Sequence, residues 1–316
     1  MKTYILKRIL ISLLIVFLVS LFSFSLLQIM PGDPARLALG YEASEEDVQA
    51  LREEMNLDKP ILTQYLLWLR NLFRGDLGRS VIYKRPVADM IAERLPRTVN
   101  IGVFALLLGI PIGILCGVVC AVKRGRLADQ GITFFMTMIM GMPVFWLGIL
   151  GILVFAVQLE LLPIQGYTPP TKDFGDFVYH AILPVSCIFL GMSAGICRQT
   201  RTNVLDSINQ DYIRTARANG LPEGSVVYKH ALKNALIPVI TIIGMQVRVV
   251  IGGSLLVEQL FNIPGLGTLL TTALNNRDYM IVQNCTLLIA LFTVAANLAV
   301  DIAYGFIDPR IRMTRR

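Results

Sequence analysis

Six stretches of the chain are almost continuously apolar: roughly Ile9 to Met30, then 99–122, 132–160, 179–197, 236–257 and 281–306. A helix crossing about 30 Å of hydrocarbon needs about 20 such residues. The pattern therefore predicts an all-α polytopic membrane protein with about six transmembrane helices. Glycine or proline interrupts each of the last five runs, which membrane helices tolerate. Gly141-Met142-Pro143 predicts a kink in the third. The first run, preceded by Lys2, Lys7 and Arg8, exceeds the about 7–15 apolar residues of a signal peptide and lacks an Ala-x-Ala site. It reads as an uncleaved helix, so 1–30 is taken as N-terminus plus first span.

Residues 31–98 break the apolar pattern. One helix starts at Ser44 with Glu45, Glu46 and Asp47 in its first turn, and continues through Val48, Leu51, Met55 and Leu57. A second follows Pro60, with Ile61, Leu62, Tyr65, Leu66, Trp68, Leu69 and Phe73 on an apolar stripe. The segment is expected to be a small extracytoplasmic helical subdomain. The transmembrane core is then 99–307, with a tail at 308–316.

Composition agrees with the pattern. The 316 residues are 54% hydrophobic and 16% charged, with mean hydropathy +0.61, whereas soluble domains carry about 25% charge. The net charge of +7 does not signal nucleic acid, because the basic residues flank apolar runs. Lys123, Arg124, Arg126, Arg198, Arg201, Arg214, Arg217, Lys229, Lys233, Arg310, Arg312, Arg315 and Arg316 join the three N-terminal cations on one side. Only Lys172 and Arg277 fall in the two short opposite segments. That bias orients both termini to the cytoplasm. The cysteines, Cys116, Cys120, Cys187, Cys197 and Cys285, lie in or beside apolar runs and read as small core hydrophobes. His180 and His230 are too far apart to suggest a metal site.

The loop 198–235 is long for a connector. Its first short helix begins near Asp206 or Gln210 and runs through Tyr212, Ile213, Thr215, Ala216 and Ala218. It stops at Asn219-Gly220, with Pro222 just beyond. A second runs from about Glu223 to Leu236, with Val226, Val227, His230, Ala231 and Asn234 at helical spacing. Such an elbow suits insertion into a groove of a partner, with Arg214, Arg217, Lys229 and Lys233 meeting acidic surface. It suits an anionic lipid surface equally well.

Inside the membrane, Arg248 stands mid-span among Val247, Val249 and Val250, beside Gly252-Gly253. An intramembrane charge usually faces a cavity or a partner. Arg248, Gln246 and Gly252 are the candidate path residues, Arg248 meeting an anionic group of the substrate. A structural pair with Asp301 or with another subunit is the alternative. Glu258 and Asp301, near the ends of their spans, are expected to be exposed at the interface. Asn284 and Asn297 are expected to bond between helices.

Tyr212-Ile213-Arg214-Thr215-Ala216-Arg217-Ala218-Asn219-Gly220-Leu221, followed by His230-Ala231-Leu232-Lys233-Asn234-Ala235-Leu236-Ile237-Pro238, resembles the coupling loop of ABC-importer permeases of the dipeptide/oligopeptide/nickel branch. The family's Glu-Ala-Ala falls on Arg214, Thr215 and Ala216, and its following glycine on Gly220. Glutamate is replaced by arginine, and the later Leu-Pro is Leu232-Lys233. Pro31-Gly32-Asp33-Pro34, Leu57-Asp58-Lys59-Pro60, Gly75-Asp76-Leu77-Gly78 and Phe261-Asn262-Ile263-Pro264-Gly265-Leu266-Gly267 also match that branch. So do Asn276-Arg277-Asp278-Tyr279 and Asp308-Pro309-Arg310-Ile311-Arg312.

The resemblance implies half of a translocation path in a bacterial cytoplasmic (inner) membrane. It implies a second homologous permease subunit, two ABC ATPase subunits, an extracytoplasmic substrate-binding protein and membrane lipid as partners. It implies no catalysis and no cofactor on this chain, with ATP and Mg on the ATPases; no phosphate-cradling Gly-x-x-x-x-Gly-Lys-Ser/Thr stretch occurs here. The competing classes are an ion-coupled secondary transporter and a membrane scaffold that recruits a cytoplasmic partner. The first leans on buried carboxylates and inverted repeats that the spans barely offer.

Overall fold

The computed structural model describes residues 2–29, 33–40, 42–80 and 82–307, with no strand among them beyond an isolated bridge between Arg79 and Pro86. The helices are α1 (Lys2–Ile29), α2 (Pro34–Leu39), α3 (Glu45–Glu54), α4 (Ile61–Phe73), α5 (Val87–Val122), α6 (Leu127–Met140), α7 (Val144–Gly151), α8 (Phe174–Ile208), α9 (Asp211–Ala218), α10 (Glu223–Ser225), α11 (Leu232–Leu260), α12 (Leu266–Asn275) and α13 (Tyr279–Ile307). Two π-helical stretches, Ile152–Gln158 and Val226–Ala231, extend α7 and join α10 to α11. The tail motif at Asp308 and the Pro31-Gly32 pair lie outside the described residues.

Among the described residues, five helices are long and apolar enough to cross a membrane, and six spans result if α6 and α7 with its π-helical extension form one. The kink expected at Gly141-Met142-Pro143 is a break instead, with α6 and α7 bent by 108°. Pro143 has an extended ψ of 143° and no N–H, so it cannot continue α6; its carbonyl starts α7 by accepting from Trp146 N at 3.0 Å.

The chain divides into two compact units: Met1–Arg8, Val99–Ile263 and Ala296–Arg316 form one, Ile9–Thr98 and Pro264–Ala295 the other. The core of the first is built on α8, whose Phe177, Leu183, Cys187, Met192 and Ile196 cluster with Ile101, Val250, Val257 and Phe261. Small residues on α5 let α8 approach its backbone. A Cβ on Gly113 would lie 2.7 Å from Ile196 Cβ, and Ser193 Oγ donates to Gly109 O at 2.9 Å.

In the second unit, Ser44 caps α3 by accepting from Asp47 N at 3.1 Å. Phe24, Tyr65 and Trp68 form an aromatic trio with centroids 5.4–5.9 Å apart. The helix carrying the second apolar run begins at Val87, twelve residues before that run does (99 − 87). Its polar first turns bury Val87, Met90 and Ile91 against Leu266, Leu269 and Ala273 of α12. Leu266 N donates to Thr98 Oγ1, and Arg97 Nη1 to Pro264 O, each at 2.9 Å. Asn284, expected to bond between helices, donates instead to Leu77 O in the loop before α5 at 2.9 Å and to Met280 O of its own helix at 2.8 Å.

Candidate coupling elbow and membrane cleft

The elbow is built on α9. Gln210 stands before it in an extended conformation, and Asn219-Gly220 ends it with φ of 76° at Gly220. Leu221 N then returns to Ala216 O at 3.3 Å, closing the last turn. The candidate residues separate by face. Ile213 and Ala216 are buried against Val226 and Ala231. Tyr212, Arg214, Thr215, Arg217, Ala218, Gly220 and Leu221 are exposed. An inner face three residues apart and an otherwise solvated surface is what a short amphipathic helix gives when only one side has a partner.

Arg217 is not left to an outside acid. It grips Glu223 with Nε at 3.0 Å and Nη2 at 2.6 Å, so the two arms of the elbow are tied across Gly220. The guanidinium holds the Glu223 carboxyl below its ordinary range by hydrogen bonding first and by charge second. Arg214 lies 3.6 Å from Asp211 on the exposed face.

The second arm was expected to end near Leu236. It runs on: α10, the π stretch and α11 follow one another without a break from Glu223 to Leu260. The elbow is therefore the beginning of the helix that reaches the membrane cleft. That cleft, of about 400 Å3, lies among the α6–α7 break, α8 and α11. Gln246 and Gly252 line it with Gly191, Gly195, Gly253 and Cys187. Gln246 Nε2 packs 3.0 Å from the place a Cβ on Gly195 would take, whereas Cβ atoms on Gly191, Gly252 or Gly253 would meet nothing within 4 Å. Glycine on both walls thus makes the opening, and one amide supplies its polarity. Arg248 lies on α11 in the same stretch, and its side chain lies outside those described.

Two charged features escaped the reading of the sequence. Asp129, buried on α6, is held by Arg201 of α8 at 2.8 and 2.9 Å. Glu258, expected at an exposed span end, is fully buried. The reason is the sharp turn after α11, where Ile263 N returns to Glu258 O at 2.8 Å and folds Phe261 and Ile263 over that end. An acid in the first turn of an apolar helix was the available signal for Asp129.

Residues 109–313 match the family described as the inner membrane component of binding-protein-dependent transport systems, and residues 1–102 match its N-terminal component. The chain belongs to this family. It is 41% identical over 312 residues to a putative peptide transport system permease protein of Brucella abortus (strain 2308), covering 99% of each. It is 40% identical over 314 residues to the oligopeptide transport system permease protein AppB of Bacillus subtilis (strain 168), covering 98% of this chain and 99% of that one. Two solved structures share the fold. One is the MetNI methionine ABC transporter in inward-facing conformations, at TM-score 0.53 and 15% identity over 69% of this chain and 96% of that one. The other is an amino acid ABC transporter with histidines, at TM-score 0.51 and 13% identity over 70% and 94%.

The chain is thus a membrane-spanning ABC-importer permease subunit of the inner membrane. It is a non-catalytic part, and ATP hydrolysis belongs to a separate subunit. Such permeases work with ATPase and substrate-binding partners.

Proposed function

We propose that this permease forms one half of the path of a peptide importer and receives the ATPase stroke through α9. The observation that carries the proposal is the unbroken helical run from Glu223 to Leu260. One end is pinned to α9 by Ile213, Ala216 and the Arg217–Glu223 pair. The other end lines the cleft with Gln246 and Gly252. A push on the exposed face of α9, at Tyr212, Arg214, Thr215, Ala218 and Leu221, tilts that run and changes the cleft. This is the rigid-body switching that transport by alternating access needs.

In this reading a second homologous permease supplies the other half, and two ATPase subunits carry ATP and Mg, so no cofactor resides here. An extracytoplasmic binding protein delivers the substrate, and lipid covers the apolar exterior. Both termini, the 198–235 loop and the 308–316 tail are cytoplasmic, while the 31–98 subdomain is extracytoplasmic. The cation distribution supports that orientation. Peptides are proposed as substrate because relatives matching almost the whole chain carry peptide-transport names. Arg248, beside Gln246 and Gly252, is proposed to meet the peptide carboxylate.

The test is uptake of labelled di- to pentapeptides by the assembled transporter with its binding protein in proteoliposomes. ATP-dependent accumulation is expected, reduced in Arg248→Ala relative to assembled complex and partly restored in Arg248→Lys. Absence of peptide uptake by an assembled, ATP-hydrolysing complex would overturn the substrate, and full specific uptake by Arg248→Ala would remove that residue from the path.

A further inference from the structure

The second unit holds a cavity of about 830 Å3 that the coupling machinery does not use. Its volume lies in the range of about 300–1,000 Å3 usual for small-molecule sites. Three features give it a chemical character. Its apolar wall is aromatic, with Trp68 tilted against Phe24 at 5.9 Å between ring centroids. Gln283 lines it, a residue 3% exposed whose Nε2 finds no hydrogen-bond acceptor among the described residues. On its rim stand Arg79 and Lys84, neither in an ion pair among the described residues, and one carboxylate, Asp76, whose Oδ1 accepts from Gly78 N at 2.9 Å, so cations outnumber it two to one; Arg79 Nη2 donates only to Lys84 O at 3.2 Å.

A buried amide donor without an acceptor is rare in native proteins, and a ligand or an ordered water normally completes it. The cavity thus asks for an occupant with an apolar body for the indole, a carbonyl for Gln283 and an anionic group for the rim. A lipid acyl chain fits poorly, because it would leave the Gln283 amide unsatisfied in an apolar contact. A short peptide offers all three groups within one molecule.

We propose that this cavity is a second binding site, for a short peptide with an apolar side chain and a free terminal carboxylate. It rests on the reading that the chain serves a peptide importer with its 31–98 segment extracytoplasmic. Gln283 donates to a peptide carbonyl, Trp68 covers the apolar side chain, and Arg79 and Lys84 hold the carboxylate. The site holds substrate near the entrance, apart from the cleft lined by Gln246.

The chain has two tryptophans, so Trp146→Phe leaves Trp68 as its single reporter. The full chain in phosphatidylcholine nanodiscs is titrated with Ala-Leu-Leu and with Ala-Leu-Leu amide, following Trp68 emission. Saturable binding of the free acid is expected, about tenfold weaker for the amide and for the Arg79→Ala/Lys84→Ala double variant. Gln283→Leu, nearly unchanged in volume, is expected to weaken both peptides. Should Gln283→Leu fold poorly by thermal melting, the exposed rim variants carry the test. No saturable change up to millimolar peptide, equal affinity for acid and amide, or a signal that follows added phosphatidylglycerol instead of peptide would each overturn the site. Uptake of the same peptide by the whole transporter reads the importer function separately, so either idea can fail while the other stands.

Discussion

Arg201 grips Asp129 with two nitrogens, Nε at 2.8 Å from Oδ1 and Nη2 at 2.9 Å from Oδ2. The carboxylate also accepts from Gly125 N at 2.9 Å and Thr133 Oγ1 at 3.2 Å, so every lone pair facing the protein is used. The pair ties the first turn of α6 to α8, and α8 is a wall of the cleft. Asp129 is buried, whereas the Arg201 side chain keeps 30% of its exposure. Removing the arginine strands a buried charge and its bonds.

Arg201→Ala should therefore destabilise the first unit by about 3 kcal/mol, the low end for a broken buried pair because Arg201 is partly solvated. Replacing both residues, as Asp129→Leu with Arg201→Met, should recover most of that loss, since no charge is then stranded. Thermal unfolding of the purified subunit checks both. A double variant as weak as the single one would show that the pair does more than satisfy itself.

The elbow hinges on one backbone conformation. Gly220 has φ of 76°, and a Cβ there would meet nothing within 4 Å. The restriction is thus torsional, not steric crowding. Gly220→Val should cost roughly 1–2 kcal/mol locally and uncouple ATP hydrolysis from substrate, whereas Gly220→Asn, which tolerates the left-handed region, should keep most coupling. Equal behaviour of the two variants in a substrate-stimulated ATPase assay would separate the turn from coupling.

How much of this was legible in the sequence follows from what each signal measures. Gly220 and Pro222 mark the end of α9 because backbone chemistry at those residues is local. Hydropathy, by contrast, reads composition and not hydrogen bonding. It starts the second span at residue 99, while α5 already runs from Val87 through Asp89, Glu93 and Arg94. It also passes over α12, whose threonines lower its hydropathy although Leu266, Leu269 and Ala273 are buried. Asp129 and Arg201 are 72 residues apart, and no periodicity connects them. Gln246 and Gly252 were legible as polar and small positions in an apolar run. The cleft they share needed α8 and the α6–α7 break to exist.

Glu223 gives a pH expectation. Its carboxyl is held below the ordinary range by Arg217, so the folded state binds its proton less readily than the unfolded chain does. Its contribution is present above the ordinary glutamate pKa of about 4.3 and is lost as pH falls through the lower folded value. Coupling should be insensitive to this pair from neutral pH down to about pH 5. Both partners are largely exposed, at 40% and 60%, so Glu223→Gln should barely move thermal stability. A large drop in coupling between neutral pH and pH 5 that Glu223→Gln abolishes would contradict this assignment.

The glycines of the first unit divide into two kinds, and substitution should tell them apart. Gly113 is a packing glycine: a Cβ there would lie 2.7 Å from Ile196 Cβ and 2.9 Å from Ser193 O, and the carbonyl cannot yield. Gly113→Leu should overpack the α5–α8 contact, costing about 1–3 kcal/mol and lowering the amount of assembled transporter. Gly252 is a lumen glycine: its Cβ would meet nothing within 4 Å, and it borders a cleft of about 400 Å3. Gly252→Leu should leave assembly intact, because a side chain in a helix interior removes the roughly 0.5–1 kcal/mol conformational penalty of glycine. Its bulk, however, enters the cleft that substrate is proposed to cross. Uptake per assembled complex should therefore fall for Gly252→Leu, while Gly113→Leu loses complex yet keeps specific uptake in what remains. Full specific uptake by Gly252→Leu would mean that the cleft beside Gln246 is packing space and that the path runs elsewhere.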